Sequence, residues 1–430
     1  MKIVLSTAPR LKNTNAHSSE AISIGLLSIA TVLAQNEFRI FFIDANVLNL
    51  GIGDTLDMIM LNSPDIICFS VYTREMNIIS ELVNRIKRKK EKVIIILGGI
   101  HPTYFPVETI KYNKNFDYVV VGEGEEVLVK LISLIQVGAL NEISELEGVF
   151  SQSDSFNIKP YFINIINDLS TLPIPNRNLY SKNESYSILT SRGCNHRCKF
   201  CMQPFEETVR YRNLEGVFEE VQMLLNIHSF KKLVFYDETF AADKDRTLEL
   251  IKGFVKRGYG SNFYWTAGTR ADTIDAELAI QFKKANCKWI FIGAESPIDE
   301  QLKAINKGIE FKQVENALSI LNYHDINVAL SFILGLPGET WETLEYKKNI
   351  ILNSNAQSIH VGILIPHPGS KIYQEILEGK HNYQLLSADH KDYTRDGLIY
   401  KIGDITSVEL NMYANSIKKE LIIKGIKLEY

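Results

Sequence analysis

The 430-residue sequence predicts two α/β units in tandem: a doubly wound parallel sheet over residues 1–145, then a partial (β/α)6 barrel over residues 183–375. Three observations carry this. Short, continuously apolar runs rich in β-branched residues alternate with helical stretches through residue 145, the pattern of strands covered on both faces. Six further βα repeats occupy residues 183–375, too few for a closed eightfold barrel, which typically takes about 250 residues. Between them, residues 146–182 lose the rhythm and carry Pro173 and Pro175 among turn formers, as an ordered connector does.

In the first unit, Lys2–Thr7, Phe38–Asp44, Ile66–Tyr72, Val93–Gly98 and Tyr118–Gly122 read as strands, and Ala21–Ala34 and Met76–Lys89 as helices. The arrangement is Rossmann-like, and ligands of such sheets bind beyond the carboxyl ends of the strands. The loops there hold Thr7, Ser70, Tyr72, Thr73, Gly98, Gly99, His101, Gly122, Glu123 and Gly124. Gly122-Glu-Gly-Glu-Glu126 is no phosphate cradle, because three carboxylates at a helix start repel an anion while suiting the helix dipole. His101 reads equally as a hydrogen-bonded loop histidine or as a ligand contact, and not as a metal ligand. The basic run Arg85–Lys92 closes a helix, where cations complement the dipole and face water.

The second unit opens on the strand-like run Tyr186–Thr190. Lys232–Tyr236, Phe263–Thr269, Trp289–Gly293, Val328–Gly335 and Ser358–Ile365 follow as strands, separated by helices at Leu214–Ile227, Arg246–Arg257, Ala276–Asn286, Phe311–His324 and Glu342–Asn353. Reactive groups of parallel barrels gather at the carboxyl ends of the strands. Those ends carry Tyr236, Asp237, Glu238, Arg270, Glu295, Ser331 and Gly335. Taken singly, each reads more readily as a cap or a surface ion pair; their recurrence at successive strand ends is what suits a zwitterionic ligand. The tail, 376–430, adds a helix-like stretch at Ser407–Lys424 and no cysteine.

Directly after the first of these strands, Cys194, Cys198 and Cys201 stand at C-x3-C-x2-C spacing. Iron–sulfur clusters usually take four cysteines, so three would leave one iron open to a chelating ligand. The competing reading is structural zinc with His196 as fourth ligand. Against it, His196 lies between the first two cysteines in a crowded loop, and no second C-x2-C pair follows. Cys68 and Cys287 sit in apolar runs and read as small buried hydrophobes, so a reducing, cytoplasmic setting is expected. The net charge of −4 implies no nucleic-acid or anionic-membrane partner. The N-terminus enters a strand without a leader pattern, and Ala21–Ala34 is too short to cross a bilayer.

With Phe200 just before its last cysteine, the loop resembles the signature of the radical S-adenosylmethionine (SAM) superfamily. Asp237–Phe240, Thr269–Asp272, Gly293–Ser296, Phe332–Glu339 and Pro366–Ser370 resemble its motifs in the order of the class B members. In the first unit, Ser70–Thr73, Leu97–Thr103 and Val121–Glu126 are similar to the cobalamin-binding domain that precedes the barrel in that class. The resemblance implies a [4Fe–4S] cluster on Cys194, Cys198 and Cys201, with SAM chelating the open iron. It places Phe200 at adenine, Asp237 and Glu238 at the methionyl amine, and Glu295 near the ribose, while Arg270 suits the carboxylate. A corrinoid would lie over the strand ends of the first unit. The chain has no Asp-x-His-x-x-Gly motif for a lower histidine ligand; class B relatives commonly lack it, so cobalamin without that ligand and no cobalamin both fit. Gly335 and Glu339 stand four apart, one more than the usual G-x-I-x-G-x-x-E form.

The activity so implied is methyl transfer to an unactivated carbon, or to phosphorus, of a small or peptidyl substrate, with an external flavodoxin- or ferredoxin-type reductant. The alternative is a radical dehydration or rearrangement without methyl transfer. A remote third reading, a non-catalytic Fe–S or zinc sensing module, has no use for polar groups at successive strand ends.

Overall fold

The structure is a computed structural model that describes residues 1–10, 22–155, 162–180, 184–202, 208–227, 229–389, 392–393 and 396–428. The predicted helix start at Ala21, residues 156–161 and 181–182 of the connector and residue 183 at the start of the expected barrel lie outside them. The chain divides into two compact units, Met1–Asn183 and Glu184–Tyr430.

The first unit runs β1 (Lys2–Thr7), α1 (Ile24–Gln35), β2 (Arg39–Ile43), α2 (Ile52–Leu61), β3 (Ile66–Ser70), α3 (Met76–Lys89), β4 (Ile94–Gly98), α4 (Ile100–Tyr104), α5 (Pro106–Tyr112), β5 (Tyr118–Val120), α6 (Glu125–Val137) and β6 (Val149–Ser151). Its sheet has the order β2-β1-β3-β4-β5-β6. The first five strands pair in parallel, and β6, from the start of the expected connector, adds an antiparallel edge.

Strand residues alternate between the two faces, so each strand feeds two cores. Val4, Ile67, Phe69, Ile95, Leu97 and Val119 pack with Leu56 and Ile59 of α2, Ile79, Leu82 and Ile86 of α3, and Ile110 of α5. Their neighbours Ile3, Leu5, Ile66, Cys68, Ile96 and Val120 pack on the other face with Leu26, Ala30 and Leu33 of α1 and Leu128, Leu131 and Ile132 of α6. A fully buried Leu or Ile contributes roughly 1.5–3 kcal/mol, which is why the strands read as unbroken apolar runs.

The second unit holds β7 (Ser185–Ile188), β8 (Ser191–Arg192), β9 (Arg210–Tyr211), α7 (Leu214–Ile227), β10 (Lys232–Phe235), α8 (Lys244–Lys256), β11 (Tyr264–Thr269), α9 (Ala276–Lys284), β12 (Cys287–Glu295), α10 (Asp299–Ala304), α11 (Phe311–Tyr323), β13 (Asn327–Leu334), α12 (Trp341–Leu352), β14 (Ser358–Ile363), α13 (Lys371–Leu377), β15 (Tyr383–Leu385), β16 (Tyr400–Ile402), β17 (Ile405–Thr406) and α14 (Ser407–Ile423). Its main sheet is parallel in the order β14-β13-β12-β11-β10-β7, each strand beside its predecessor, as in an opened barrel. Aromatic residues fill the space between β10, β11 and their helices: Trp265 meets Phe235 at 5.4 Å and Phe282 at 5.1 Å between ring centroids, both edge-on. The tail forms a small antiparallel sheet, β15-β16-β17, ahead of α14.

Within the first unit, the Gly122–Gly124 loop holds the connector in place. Gly122 bridges to Asn164, the Glu123 amide donates to Asn164 O at 2.8 Å, and the Glu123 carboxylate accepts from the Ile166 amide at 2.6 Å. A Cβ on Gly122 would stand 2.4 Å from Asn164 O, and its φ is +84°. Gly122→Ala is therefore expected to cost about 1–3 kcal/mol. Gly124→Ala, whose Cβ would meet only the tip of Ile29 at 3.1 Å, costs markedly less. Equal urea midpoints for the two variants would contradict this.

Candidate active site

The cysteine loop is held at both ends before any metal is considered. A two-residue antiparallel ladder between β8 and β9 brings Ser191 opposite Tyr211 and Arg192 opposite Arg210. Beneath it, the buried Asp237 carboxylate accepts from the Thr190 amide at 3.1 Å, the Thr190 hydroxyl at 2.8 Å and the Ser191 hydroxyl. Burial pushes the Asp237 carboxyl above its usual pKa, and the bonds from Ser191 and Thr190 pull it back. Arg246 donates to Thr190 O at 3.1 Å and Arg212 O at 2.8 Å, tying the two sides of the ladder together. Farther along the loop, the Lys199 amide donates to Ile305 O at 2.9 Å, and Asn306 Nδ2 donates to Arg197 O at 2.9 Å.

Beyond the strand ends lies a cavity of about 300 Å³ lined by Cys194, His196, Cys198, Phe200, Cys201, Glu238, Arg270, Glu295 and Ser331. Its wall is built by strand register. Gly268, Phe291 and Ala329 are aligned across β11, β12 and β13, and Gly293, Ser331 and His360 across β12, β13 and β14. Two-residue periodicity sends both rows to one face.

The polar groups are set by local geometry. Arg270 is buried and makes a bidentate pair with Asp272, Nε and Nη2 each donating at 3.0 Å, while its buried Nη1 has no hydrogen-bond partner among the described residues. Glu295 sits at a register shift between β12 and β13 with φ +58°, a conformation rare outside glycine, and its Oε1 accepts from Lys307 Nζ at 2.7 Å. Glu238 Oε2 accepts from the Gly193 amide at 3.2 Å, and Cys194 Sγ lies 3.5 Å from Thr239 Oγ1. Burial raises the Cys198 thiol pKa, with Lys307 and Arg270 opposing, and burial together with Arg270 lowers that of His196.

Eight of the eleven residues expected at the cluster and SAM line this cavity; Tyr236, Asp237 and Gly335 do not. Tyr236 is about half exposed, its amide donating to Ile188 O at 2.9 Å. Asp237 turns to the Thr190–Ser191 backbone instead. Gly335 packs against the tail: its carbonyl accepts from Tyr383 Oη at 2.7 Å, and a Cβ there would stand 2.3 Å from Tyr400 Oη. Glu339 is wholly buried in a structural network. It accepts from Lys347 Nζ at 2.6 Å, the Gly335 amide at 2.8 Å, Thr343 Oγ1 at 2.7 Å and Gln301 Nε2 at 3.2 Å. Lys307 and His360 line the cavity without having been expected from the sequence; both lie at register or turn positions with no motif around them.

Of the strand-end residues of the first unit, several are engaged internally. Thr7 Oγ1 donates to Asp44 Oδ1 at 3.2 Å, His101 Nδ1 lies 3.2 Å from Thr73 Oγ1, and Gly122 and Glu123 hold the connector. Gly124 caps α6, and Gly99, at φ +100°, lets α4 start against Val71. Ser70 and Gly98 are half-buried and Tyr72 is 57% exposed, at the ends of β3 and β4 beside the point where the strand order reverses between β1 and β3.

Such a fold and site, three cysteines over a six-stranded open barrel that follows a doubly wound sheet in the sequence, define a class of cofactor-loaded enzyme. Family models match in the same order: "B12 binding domain" over residues 15–132 and "Radical SAM superfamily" over residues 188–347. By these models the chain carries a B12-binding domain followed by a domain of the radical SAM superfamily. It is 26% identical over 404 residues to an uncharacterized methyltransferase of Pyrococcus horikoshii, covering 90% of this chain and 85% of that one. It is 25% identical to an anaerobic magnesium-protoporphyrin IX monomethyl ester cyclase of Cereibacter sphaeroides, covering 78% of this chain and 58% of the relative. In fold it is similar to the radical SAM methyltransferase TsrM of Kitasatospora setae, solved with cobalamin and a [4Fe–4S] cluster, at TM-score 0.74 and 18% identity over 96% of this chain and 84% of that one. These domains bring a [4Fe–4S] cluster, SAM and cobalamin as cofactors, and the site fits the first two: three thiolates and an unpartnered guanidinium nitrogen share one cavity. Among the described residues, no helix is long and apolar enough to cross a membrane.

Two outcomes follow. Cys198→Ala is expected to abolish iron uptake with the far-UV spectrum unchanged, whereas Cys287→Ala, in the core, retains iron and loses only stability. Lys347→Met strands the buried Glu339 carboxylate and is expected to cost about 3–5 kcal/mol, much of it recovered by adding Glu339→Gln. Iron analysis with circular dichroism reads the first and denaturant titration the second, where a double variant no more stable than Lys347→Met would refute the pairing.

Proposed function

We propose that this chain is a cobalamin-dependent radical SAM methyltransferase acting on an unactivated carbon, or on phosphorus, of a small or peptidyl substrate. The observation that carries the reading is the cavity that gathers the three cysteines with Glu238, Arg270 and Glu295 in a chain ordered B12-binding then radical SAM. When bound, the cofactors supply one-electron cleavage of SAM, hydrogen-atom abstraction and a transferable methyl group.

The protein's part is to bind, orient and exclude water. Cys194, Cys198 and Cys201 would hold the cluster, three thiolates where such clusters usually take four. Arg270 presents its free Nη1 to a carboxylate, Glu238 presents an anion to an amine, and Phe200 offers a face to adenine. Gly268, whose missing side chain leaves open space, lets the ligand approach the sheet backbone closely. Asp237 and Gly335 act at a distance, through the loop and the tail. In the first unit, Tyr72, Ser70 and Gly98 are the residues for a flat corrinoid to rest upon. A flavodoxin- or ferredoxin-type protein supplies the electrons, and a cluster held by cysteine thiolates suits the reducing cytoplasm.

Radical dehydration or rearrangement without methyl transfer is the second reading; the likeness to a monomethyl ester cyclase is its one support, and the methyltransferase relatives weigh against it. Anaerobic reconstitution with iron, sulfide and hydroxocobalamin separates the two. Methyl transfer predicts about four irons and one cobalt per chain and, on adding SAM and reductant, release of S-adenosylhomocysteine beside 5′-deoxyadenosine. Iron without cobalt, and 5′-deoxyadenosine alone, would eliminate methyl transfer and leave the rearrangement.

A further inference from the structure

We propose that Lys307, with Glu295 as its counter-charge, sets the reduction potential of the iron–sulfur cluster held by Cys194, Cys198 and Cys201. The inference rests on the reading of the cysteine loop as a four-iron site. Lys307 and Glu295 line the same cavity as the three cysteines, their charged ends are 2.7 Å apart, and each side chain is only 8% exposed. Salt and water therefore screen them little.

The backbone fixes this ammonium against the loop. Ile305 O accepts from the Lys199 amide and Asn306 Nδ2 donates to Arg197 O, so the turn leading into Lys307 grips the residues on either side of Cys198. The Lys307 amide closes the turn on Leu302 O at 2.9 Å, between Asn306 at φ +54° and Gly308 at φ +72°. On the other side, Glu295 is turned toward Lys307 by the irregularity at the end of β12. Gly293 makes room: a Cβ there would stand 2.2 Å from Glu295 Oε1 and 2.9 Å from Lys307 Nζ.

Reduction of such a cluster takes one electron from a low-potential donor, a flavodoxin- or ferredoxin-type protein or dithionite, and moves no proton. The cluster with its thiolates becomes more negative by one charge, so a nearby buried cation stabilises the reduced form and a nearby anion opposes it. Arg270, His196 and Glu238 also face this space, but the Arg270 guanidinium is compensated on two nitrogens by Asp272.

The test is an EPR-monitored redox titration of the reconstituted full chain without SAM, so that any role of Glu295 in holding SAM does not enter. Lys307→Met is expected to move the midpoint to more negative potential, Glu295→Gln to more positive potential, and the double variant to a value between the two. Lys307→Arg keeps the wild-type midpoint. Midpoints that do not move, or singles that move in the same direction, at wild-type iron content, overturn the inference. Should Lys307→Met fail to take up iron, Glu295→Gln and Lys307→Arg still decide it. A wild-type chain that takes up no four-iron cluster overturns the underlying reading and this inference with it; a loaded cluster with unmoved potentials overturns this inference alone.

Discussion

The buried carboxylate of Asp237 is the constraint on which the second unit's chemistry depends. Three bonds from Thr190 and Ser191 converge on it where the first barrel strand passes into the cysteine loop, and Arg246 ties the same residues to the returning strand. A cluster site needs thiolates at fixed separation, and loops are the least rigid places to put them. The fold answers by anchoring the loop's base to the second strand of the barrel and its middle to the turn after α10. Desolvating Asp237 opposes its ionisation, and the convergent bonds offset part of that cost.

The same logic recurs at the far wall. Glu339 follows a strand end in a motif that invites assignment to the ligand, yet each of its carboxylate oxygens is taken by protein donors, Lys347 and the Gly335 amide on one side, Thr343 and Gln301 on the other. Gln301 in turn accepts from Ser296 at 2.6 Å, so the network runs from the end of β13 back to the residue after Glu295. The strained conformation of Glu295 is held from behind by hydrogen bonds and from the front by Lys307. Strain of this kind persists only where its surroundings over-determine it, and here it places a charged group beside the cysteines.

Much of this was legible in the sequence, for stated physical reasons. The helix Met76–Lys89 and the strand at Lys232 are readable because period and burial coincide, and the six-strand barrel follows from the βα count. The cysteine loop is readable because its chemistry is local. The antiparallel strand Val149–Ser151 is not, since three residues at a sheet edge carry too little pattern to separate them from a connector. The same holds for β15–β17 in the tail. Asp237 and Glu339 announce themselves as strand-end acids, but whether such an acid faces a ligand or the protein behind it depends on its partners: for Asp237 these lie 46 and 47 residues away, and for Glu339 local donors up to 8 residues away are joined by Gln301, 38 away. Lys307 shows the converse: nothing adjacent in the sequence marks it, and only the turn that carries it brings it to the cavity.

Tyr383 and Tyr400 extend the argument to the tail. Their rings meet edge to face at 5.6 Å, burial pushes both phenols far above their usual range, and they close on Gly335, whose left-handed φ of +82° no larger residue adopts readily. A glycine expected to admit a ligand instead admits the tail. The end of β13 is thus fixed by segments that lie outside the barrel, so the wall bearing Ser331 is positioned jointly by the strand register and by the tail's packing. Changes in the tail therefore reach the cavity through β13 without any tail residue lining it among the described residues.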